Sequence, residues 1–395
     1  MKEKHLTNQR MHQLNLSMVL NLIRRSNNIS RSALAQMTGM TAATVANLVN
    51  ELLDLGYLEY AETGESTGGR KPVLLRLCPC AEYAVGIELT ASHILGVIGN
   101  LQADVLVRSF VVIDPKEGKD AVIDAMVNMV EDLIIRSGLR REQLSGLGLA
   151  LPGPCDYHNG IVLNPPNFPD WKYVPIRDIL SERLGMKVLI SKESASDGLA
   201  EYWFGGAVDN ERIFTVHVGM VGIGGAFIDQ GSVFRYDVRE SMDIGHNTVE
   251  MNGYPCACGS RGCLEAHANG IAALRYAREY ASAEGRRPEV FANVESVIFG
   301  AEAGDAACVQ AIDKCADYLS MALRNVILLL TPDRIFCGGS FAERCPRLVE
   351  AVSERLKGYV YPECGLTPLE HFSFGRENGA IGALALVFGS RLNDL

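Results

Sequence analysis

The sequence has no apolar run close to the roughly 20 residues that a membrane-spanning helix needs. Its start, Met1–His5, also lacks the apolar core of a secretion signal. The cysteines are odd in number, eleven in all, and no export signal accompanies them, so a disulfide framework is not expected. These absences predict a cytoplasmic protein with reduced thiols and no membrane contact.

Basic residues are fewer than acidic ones, and the net charge is −10. That average argues against general nucleic-acid binding, but the charge is unevenly distributed. Residues 1–80 carry nine Lys/Arg and six Asp/Glu, a net charge of +3, which leaves −13 for the remainder. A basic N-terminal segment on an acidic body is the pattern expected when one domain alone contacts phosphates.

One segment, residues 245–265, concentrates cysteine, histidine and glycine. Three of its cysteines lie within eight residues, and the glycines between them allow the backbone to fold tightly. With one upstream histidine they form the Cys3His set of a closed, tetrahedral structural Zn²⁺ site. The four predicted ligands are His246, Cys256, Cys258 and Cys263. The alternatives are a turn rich in reduced cysteine and a disulfide, although cysteines two residues apart bridge poorly.

Apolar residues at helical spacing predict three helices near the N-terminus. The first ends near Arg25, and the others cover residues 31–37 and 42–55. Ser30 and Thr41 are suitable N-caps, and the glycine at position 39 allows a turn with positive φ between the second and third helices. A strand follows Gly56. This order is typical of a winged helix-turn-helix.

In a helix-turn-helix the N-terminal part of the last helix enters the major groove, where polar and methyl groups contact base edges. Local positive charge and the short polar side chains at that helix start favour double-stranded operator DNA as the partner. The alternative is a small protein-interaction domain with an ordinary polar face. The predicted contacts in this module are Arg31, Thr41, Ala43, Thr44 and Asn47.

A further basic segment, Ser66–Pro72, is predicted to connect the wing to the body. Glycines and a proline surround Arg70 and Lys71, which makes the segment extended and flexible. Arginine in such a segment can enter a narrow, A·T-rich minor groove. The alternative is a plain linker whose charges stay solvated.

The cysteine-rich segment resembles the signature of the ROK family, which groups sugar kinases with sugar-responsive repressors. The family's pattern is Gly-His, a spacer, then Cys-x-Cys-Gly-x-x-Gly-Cys-x-Glu, and the segment from Gly245 to Glu265 fills every position. The resemblance extends over most of residues 82–390. The motif at residues 30–45 is similar to the repressor branch of the family.

The resemblance implies an α/β fold: an N-terminal winged helix-turn-helix followed by a two-lobed, actin-like/ribonuclease H-like sugar kinase fold with the sugar between the lobes. The alternation of β-rich and helical stretches after Tyr83 independently indicates α/β architecture with mostly parallel sheets. We expect residues 1–80 to form the DNA-binding domain and linker. Residues 81–198 with 379–395 would form the first lobe, and residues 199–378 the second lobe with its zinc loop.

The chain departs from the family's kinase pattern at three places. The first phosphate loop, Asp-x-Gly-x-Thr, corresponds to Glu88–Ser92, which contains neither the aspartate nor the glycine that lets backbone approach a phosphate. The second loop, at residues 220–226, lacks two glycines and the threonine. Where the family has an Asn-Asp pair, this chain has Lys192-Glu193. The extra methylene of glutamate moves the carboxylate by about 1 Å, which can lower a catalytic rate about a hundredfold.

The resemblance places a sugar or sugar phosphate effector at Asn167, Lys192, Glu193, Asp243, His246 and Glu265. Lys192 stands where the family has a neutral amide, and either pairs with Glu193 or attracts an anionic ligand. His246 is expected to bind metal through one nitrogen and effector through the other, so that the zinc loop senses the ligand.

These features favour a sugar-responsive transcriptional regulator, in the simplest case a repressor, that binds its effector without phosphorylating it. One alternative is an ATP-dependent sugar kinase with a DNA-binding appendage. Another is an adaptor controlled by a regulatory protein partner. Because helix-turn-helix proteins usually bind two half-sites, a homodimer or higher even oligomer is expected.

Overall fold

The computed structural model describes residues 8–26, 28–61, 73–165, 167–207, 211–229, 231–236, 239–240, 242–359 and 366–393. Within these ranges no helix is both long and apolar enough to cross a membrane.

The N-terminal module contains three helices and a small sheet. The helices are α1 (Asn8–Ser26), α2 (Arg31–Thr38) and α3 (Ala42–Asp54), and the strands are β1 (Ile29–Ser30), β2 (Leu58–Tyr60) and β3 (Leu74–Leu77). Ser30 and Thr41 cap α2 and α3 through their side-chain oxygens, and Gly39 has a φ of 68°. The predicted winged helix-turn-helix is therefore confirmed, and α1 ends next to Arg25 as expected.

The position predicted for the basic segment was wrong. Strand β3 pairs antiparallel with both β1 and β2. The segment Ser66–Pro72, which lies outside the described residues, therefore connects two strands of the wing rather than the wing to the body. The prediction failed because the return strand, Leu74–Leu77, was not recognised. Arg70 and Lys71 thus belong to the wing's own connection.

The first half of the body is built on one five-stranded sheet of order β10-β7-β4-β5-β6. Its strands and the short β8–β9 ribbon are β4 (Tyr83–Leu89), β5 (His93–Asn100), β6 (Val105–Val112), β7 (Leu144–Leu151), β8 (Cys155–Asp156), β9 (Ile161–Val162) and β10 (Val188–Lys192). The helices are α4 (Lys119–Ser137), α5 (Ile176–Leu184) and α6 (Glu193–Trp203).

A second five-stranded sheet has the order β13-β12-β11-β16-β17. The strands that follow α6 are β11 (Arg212–Val218), β12 (Ile223–Asp229), β13 (Ser232–Val233), β14 (Arg235–Tyr236), β15 (Arg239–Glu240), β16 (Arg334–Gly338) and β17 (Leu369–His371). The remaining helices are α7 (Glu265–Ala268), α8 (Gly270–Ala283), α9 (Val294–Glu302), α10 (Ala306–Leu330), α11 (Pro346–Lys357) and α12 (Asn378–Asn393).

Both large sheets are mixed, so the prediction of mostly parallel sheets was wrong. Strands β10, β7 and β4 are parallel, whereas β4, β5 and β6 are antiparallel. The second sheet likewise combines parallel β11, β16 and β17 with antiparallel β11, β12 and β13. The physical reason is connection length: residues 90–92 and 219–222 are too few for the crossover that parallel neighbours require.

Helices α6 and α12 pack against each other; α12 contacts the first sheet, and α6 contacts both. Their close approach depends on Gly382, where any side chain would overlap the carbonyl oxygen of Ser196. Helix α6 begins directly after β10, so its N-terminus lies at the carboxyl ends of β10 and β7, as the register of these strands requires.

The helix-turn-helix module is not a separate globule. Its core residues, including Leu20 of α1 and Leu48 of α3, form one buried cluster with Val97 of β5 and with Leu384 and Phe388 of α12. The DNA-binding module is therefore packed onto the body through an apolar contact with the C-terminal helix.

Candidate functional site

The predicted recognition helix exposes the residues expected to read DNA. Thr41, Ala43 and Asn47 are exposed, and Thr44 is partly exposed. The Thr41 side-chain oxygen accepts a hydrogen bond from the Thr44 amide at 3.2 Å, and the two hydroxyl oxygens are 2.9 Å apart. The helix start is therefore rigidly capped while its polar side chains face outward.

Arg31 lies between the helices and the wing. Its guanidinium donates a hydrogen bond to Asn50 of α3 at 2.8 Å and to the Tyr60 hydroxyl of β2 at 3.4 Å. These contacts connect α2, α3 and the wing strand. Arg31 thus has a positioning role that sequence analysis did not foresee, in addition to its predicted contact with DNA.

The four predicted metal ligands converge on one point. One donor atom each of His246, Cys256, Cys258 and Cys263 lies within 4.8 Å of all the others. The sulfurs of Cys258 and Cys263 are 3.7 Å apart, as are the Cys256 sulfur and His246 Nδ1. A tetrahedron with metal–sulfur bonds of about 2.3 Å separates its sulfurs by roughly 3.8 Å, so this donor set fits a zinc ion.

Tight backbone turns bring these ligands together. Gly262 has a φ of 72°, and a side chain there would overlap the carbonyl oxygen of Glu250, so only glycine fits. The neighbouring His267 is fully buried and bonded to Tyr276 and to the Tyr254 amide. It is therefore a core histidine, and His246 is the imidazole that faces the thiols.

The predicted effector residues lie around the N-terminus of α6. Lys192 is buried and forms an ion pair with Asp243 rather than with Glu193. Its aliphatic part lies against Gly153, where an added Cβ would be 3.5 Å from Lys192 Cε. The loop at residues 152–154 therefore lies beside the same group of residues.

Two carboxyl groups complete this cluster. Burial raises the pKa of Glu193, and the charge of His217 opposes that shift. Glu265 accepts a hydrogen bond from the Ile223 amide at 3.2 Å, and its other oxygen is 3.8 Å from the Cys256 sulfur. Glu265 thus joins the second glycine loop to the cysteine cluster. Asp243 and His246 flank one short turn, and Glu265 and Lys192 lie against the neighbouring residues Ile223 and Gly224. Five of the six predicted residues are therefore close together.

Asn167 is the sixth predicted effector residue and is less closely connected. It is exposed on the loop between β9 and α5, beside the fully buried Phe168 and Trp171. Within the described parts of the chain, no hydrogen bond or ion pair connects it to the cluster at α6.

Sequence analysis missed two buried polar residues next to this cluster, Asp197 of α6 and His217 of β11. His217 Nδ1 and Asp197 Oδ2 are 2.9 Å apart, and both residues face Glu88. A signal for Asp197 was available, because it follows Glu193 by four residues and one helical turn places both carboxyl groups on one face. His217 has no comparable local signal.

The C-terminal end of α6 contacts the DNA-binding module directly. Arg24 of α1 donates a hydrogen bond to the Trp203 carbonyl at 2.7 Å, and its guanidinium lies 4.0 Å from the centre of the indole ring. Arg25 bonds the Tyr202 hydroxyl at 2.6 Å. One helix therefore connects the candidate effector cluster with the helix-turn-helix.

Comparison with known proteins agrees with this architecture. Residues 84–389 match the ROK family, and residues 17–68 match the MarR family. The xylose repressors of Bacillus spizizenii and Bacillus subtilis are each 26% identical over 95% of this chain and 94% of their own length. A glucokinase of Thermotoga maritima is 30% identical over 69% of this chain and 86% of its own length.

Solved structures show the same fold. A ROK family transcriptional regulator, a homologue of the E. coli MLC protein, covers 97% of this chain with a TM-score of 0.76 at 20% identity. A ROK family glucokinase from Streptomyces griseus, in complex with glucose and AMPPNP, covers 77% with a TM-score of 0.68 at 21% identity. With a family match that spans residues 84–389 and a MarR-type helix-turn-helix before it, the chain belongs to the ROK family.

Proposed function

We propose that this protein is a sugar-responsive, DNA-binding transcriptional repressor. The observation that carries the proposal is the combination, in one chain, of a winged helix-turn-helix and a ROK body that share a buried core. Xylose repressors match nearly the full length, so xylose is the first sugar to test. In this proposal residues 1–80 bind DNA, residues 81–198 with 379–395 form the first lobe, and residues 199–378 form the second.

The effector site we propose comprises Lys192, Glu193, Asp243, Glu265 and His246, with Asn167 as a contact from the facing loop. These residues include three carboxyl groups and a single ammonium group, and that ammonium is already paired with Asp243. Carboxyl groups form strong hydrogen bonds with sugar hydroxyls, whereas a phosphate would meet mainly negative charge. This balance favours a neutral sugar over a sugar phosphate.

The effector acts, in our proposal, by changing the position of α6. Glu193 is the first residue of that helix and belongs to the effector site, and Trp203 is its last residue and contacts Arg24 of the helix-turn-helix. A ligand that binds one arrangement of α6 more tightly shifts the population toward it, and operator affinity changes with that shift. A homodimer would place two recognition helices on paired half-sites.

The proposal is tested by selecting DNA from genomic fragments with the purified chain and measuring its affinity with and without a sugar panel. Specific DNA whose affinity changes with one sugar supports the proposal. If the chain selects specific DNA but no sugar alters its affinity, a regulatory protein partner becomes the better effector hypothesis. Absence of any specific DNA would exclude a repressor.

Asn47→Ala should weaken operator binding by about 5- to 150-fold and relax the preference at one base pair. The reason is that a bidentate side-chain contact to a base contributes about 1–3 kcal/mol. Asp54→Ala, at the exposed end of the same helix, is the matched control and should bind normally. Equal affinities of both variants would exclude Asn47 as a base contact. A deletion of residues 1–80 is less informative, because it would uncover Leu384 and Phe388.

Phosphorylation of sugars is not part of the function we propose. Glu88 packs against Gly379, so a buried carboxyl group faces the space where a phosphate would need hydrogen-bond donors. We expect no ATP-dependent turnover with xylose, glucose or amino sugars in a coupled assay. Turnover of about 1 per second or faster, an ordinary enzyme rate, would instead support the kinase that the Thermotoga maritima glucokinase match suggests.

We also propose that the Cys3His cluster binds one structural Zn²⁺. Metal there would fix the loop that carries His246 and leads into Glu265, and so hold two effector contacts in place. In the wing, Arg70 and Lys71 are proposed to contact phosphates or the minor groove.

A further inference from the structure

A second polar cluster lies beside the effector cluster, one helical turn further along α6 from Glu193. It consists of Glu88 at the end of β4, Asp197 of α6 and His217 of β11, which are 4%, 1% and 7% exposed. One donor atom of each lies within 4.8 Å of the other two. The three side chains border a cavity of about 310 Å³, whose wall also includes Asn378 and Gly379 of α12. None of these residues belongs to the proposed zinc or effector sites.

The cluster is only partly satisfied by its own hydrogen bonds. Asp197 pairs with His217 and accepts from Asn378 Nδ2 at 3.2 Å. The Glu88 carboxyl group, by contrast, has no hydrogen bond or ion pair with any side chain in the described ranges. The Asn378 side-chain oxygen is also buried without a partner. A carboxyl group without a side-chain partner and a buried amide oxygen without a partner thus border one cavity, and burying such polar groups is unfavourable unless something binds them.

We propose that Glu88, Asp197 and His217 bind a divalent first-row transition-metal ion, with the Asn378 oxygen and water as further ligands. Imidazole, carboxylate and amide oxygen are a donor set that suits Mn²⁺, Fe²⁺ or Zn²⁺. Ligand atoms of an ion with bonds of about 2.1 Å lie roughly 3–4 Å apart, so small side-chain movements close the observed spacing.

Burial and neighbouring charges shift the protonation of this cluster. Burial and the neighbouring Asp197 raise the pKa of Glu88 to about 8, so without an ion this carboxyl group is largely protonated at neutral pH. Asp197 and the other carboxyl groups around His217 raise its pKa to about 10 against the effect of burial.

This site differs from the cysteine cluster in chemistry and in position. It offers no thiolate, so Mn²⁺ can occupy it while Zn²⁺ remains at the Cys3His set. Its ligands come from β4 of the first sheet, β11 of the second and the helix between them. An ion here would hold the two sheets in one relative position.

The test is a titration of the full-length, zinc-loaded protein with Mn²⁺, in which free Mn²⁺ is measured by electron paramagnetic resonance. We expect one equivalent to bind. Glu88→Gln, which keeps the side-chain shape, should weaken binding at least about a hundredfold. The control is Glu295→Gln at the rim of the same cavity, where Glu295 pairs with Arg344, and it should leave Mn²⁺ affinity unchanged.

A second measurement uses the unmodified protein and does not depend on how a variant folds. Pulsed electron paramagnetic resonance of bound Mn²⁺ should show one directly coordinated imidazole nitrogen, the ligand that His217 supplies. The proposal is overturned if the zinc-loaded chain binds no Mn²⁺, if Glu88→Gln binds it equally well, or if the bound ion has no nitrogen ligand.

Discussion

Cys263→Ser is expected to abolish stoichiometric zinc binding and to lower stability substantially. Cys263 is fully buried, and its sulfur lies 3.7 Å from that of Cys258. A serine hydroxyl is a poor ligand for zinc, and the smaller oxygen does not reach the same point. Since structural zinc contributes apparent free energies of about 10–16 kcal/mol in small zinc peptides, even partial loss would unfold the loop.

Elemental analysis and thermal unfolding measure this effect directly. The wild-type chain, purified without chelators, should contain one zinc per chain, and the variant should contain none and melt at a lower temperature. Cys308→Ser is the matched control, because Cys308 is equally buried on α10 but outside the cluster. Wild-type protein without zinc, or a Cys263→Ser variant that keeps one equivalent, would contradict the proposed metal site.

The loop variant should also lose sugar affinity, because the effector contacts depend on the loop. Glu265 lies 3.8 Å from the Cys256 sulfur and leads directly from the last ligand into α7. Calorimetry with the effector sugar would show this loss. Normal sugar affinity in a zinc-free variant would mean that the loop is a structural element without a role in ligand sensing.

Arg24→Met should leave operator binding intact while removing most of the response to sugar. Methionine retains an apolar stem beside Trp203 but lacks the 2.7 Å hydrogen bond to its carbonyl and the cation over its ring. Allosteric coupling energies are typically about 1–3 kcal/mol, a 5- to 150-fold change in affinity. In Arg24→Met we expect operator affinity to be nearly the same with and without sugar, because α6 is no longer bonded to α1 through this residue.

Fluorescence anisotropy with labelled operator, with and without sugar, gives both affinities for each variant. Arg10→Met, at the exposed start of the same helix, is the control and should respond to sugar as the wild type does. A full sugar response in Arg24→Met would show that the signal passes through α12 instead. If the variant loses operator binding and melts early, the contact is structural and the coupling role is wrong.

Features encoded over a few neighbouring residues were predictable from the sequence. The caps Ser30 and Thr41 and the turn at Gly39 follow from hydrogen-bonding and steric rules that act within four residues. The Cys3His cluster spans a single loop, so its spacing alone indicated convergence. The family signature in the same loop then implied the fold and the position of the effector residues at α6.

The tertiary structure decided what depends on distant parts of the chain. It paired Lys192 with Asp243, joined Leu74–Leu77 to the wing, and buried the face of α12 against the helix-turn-helix. It also brought Glu88, Asp197 and His217 together from three elements. Of these three residues, His217 has no signal within its own segment, and the sequence alone does not indicate that the three meet. The energetic consequence, a buried carboxyl group without a side-chain partner, arises only because strands from both sheets and the helix between them meet around it.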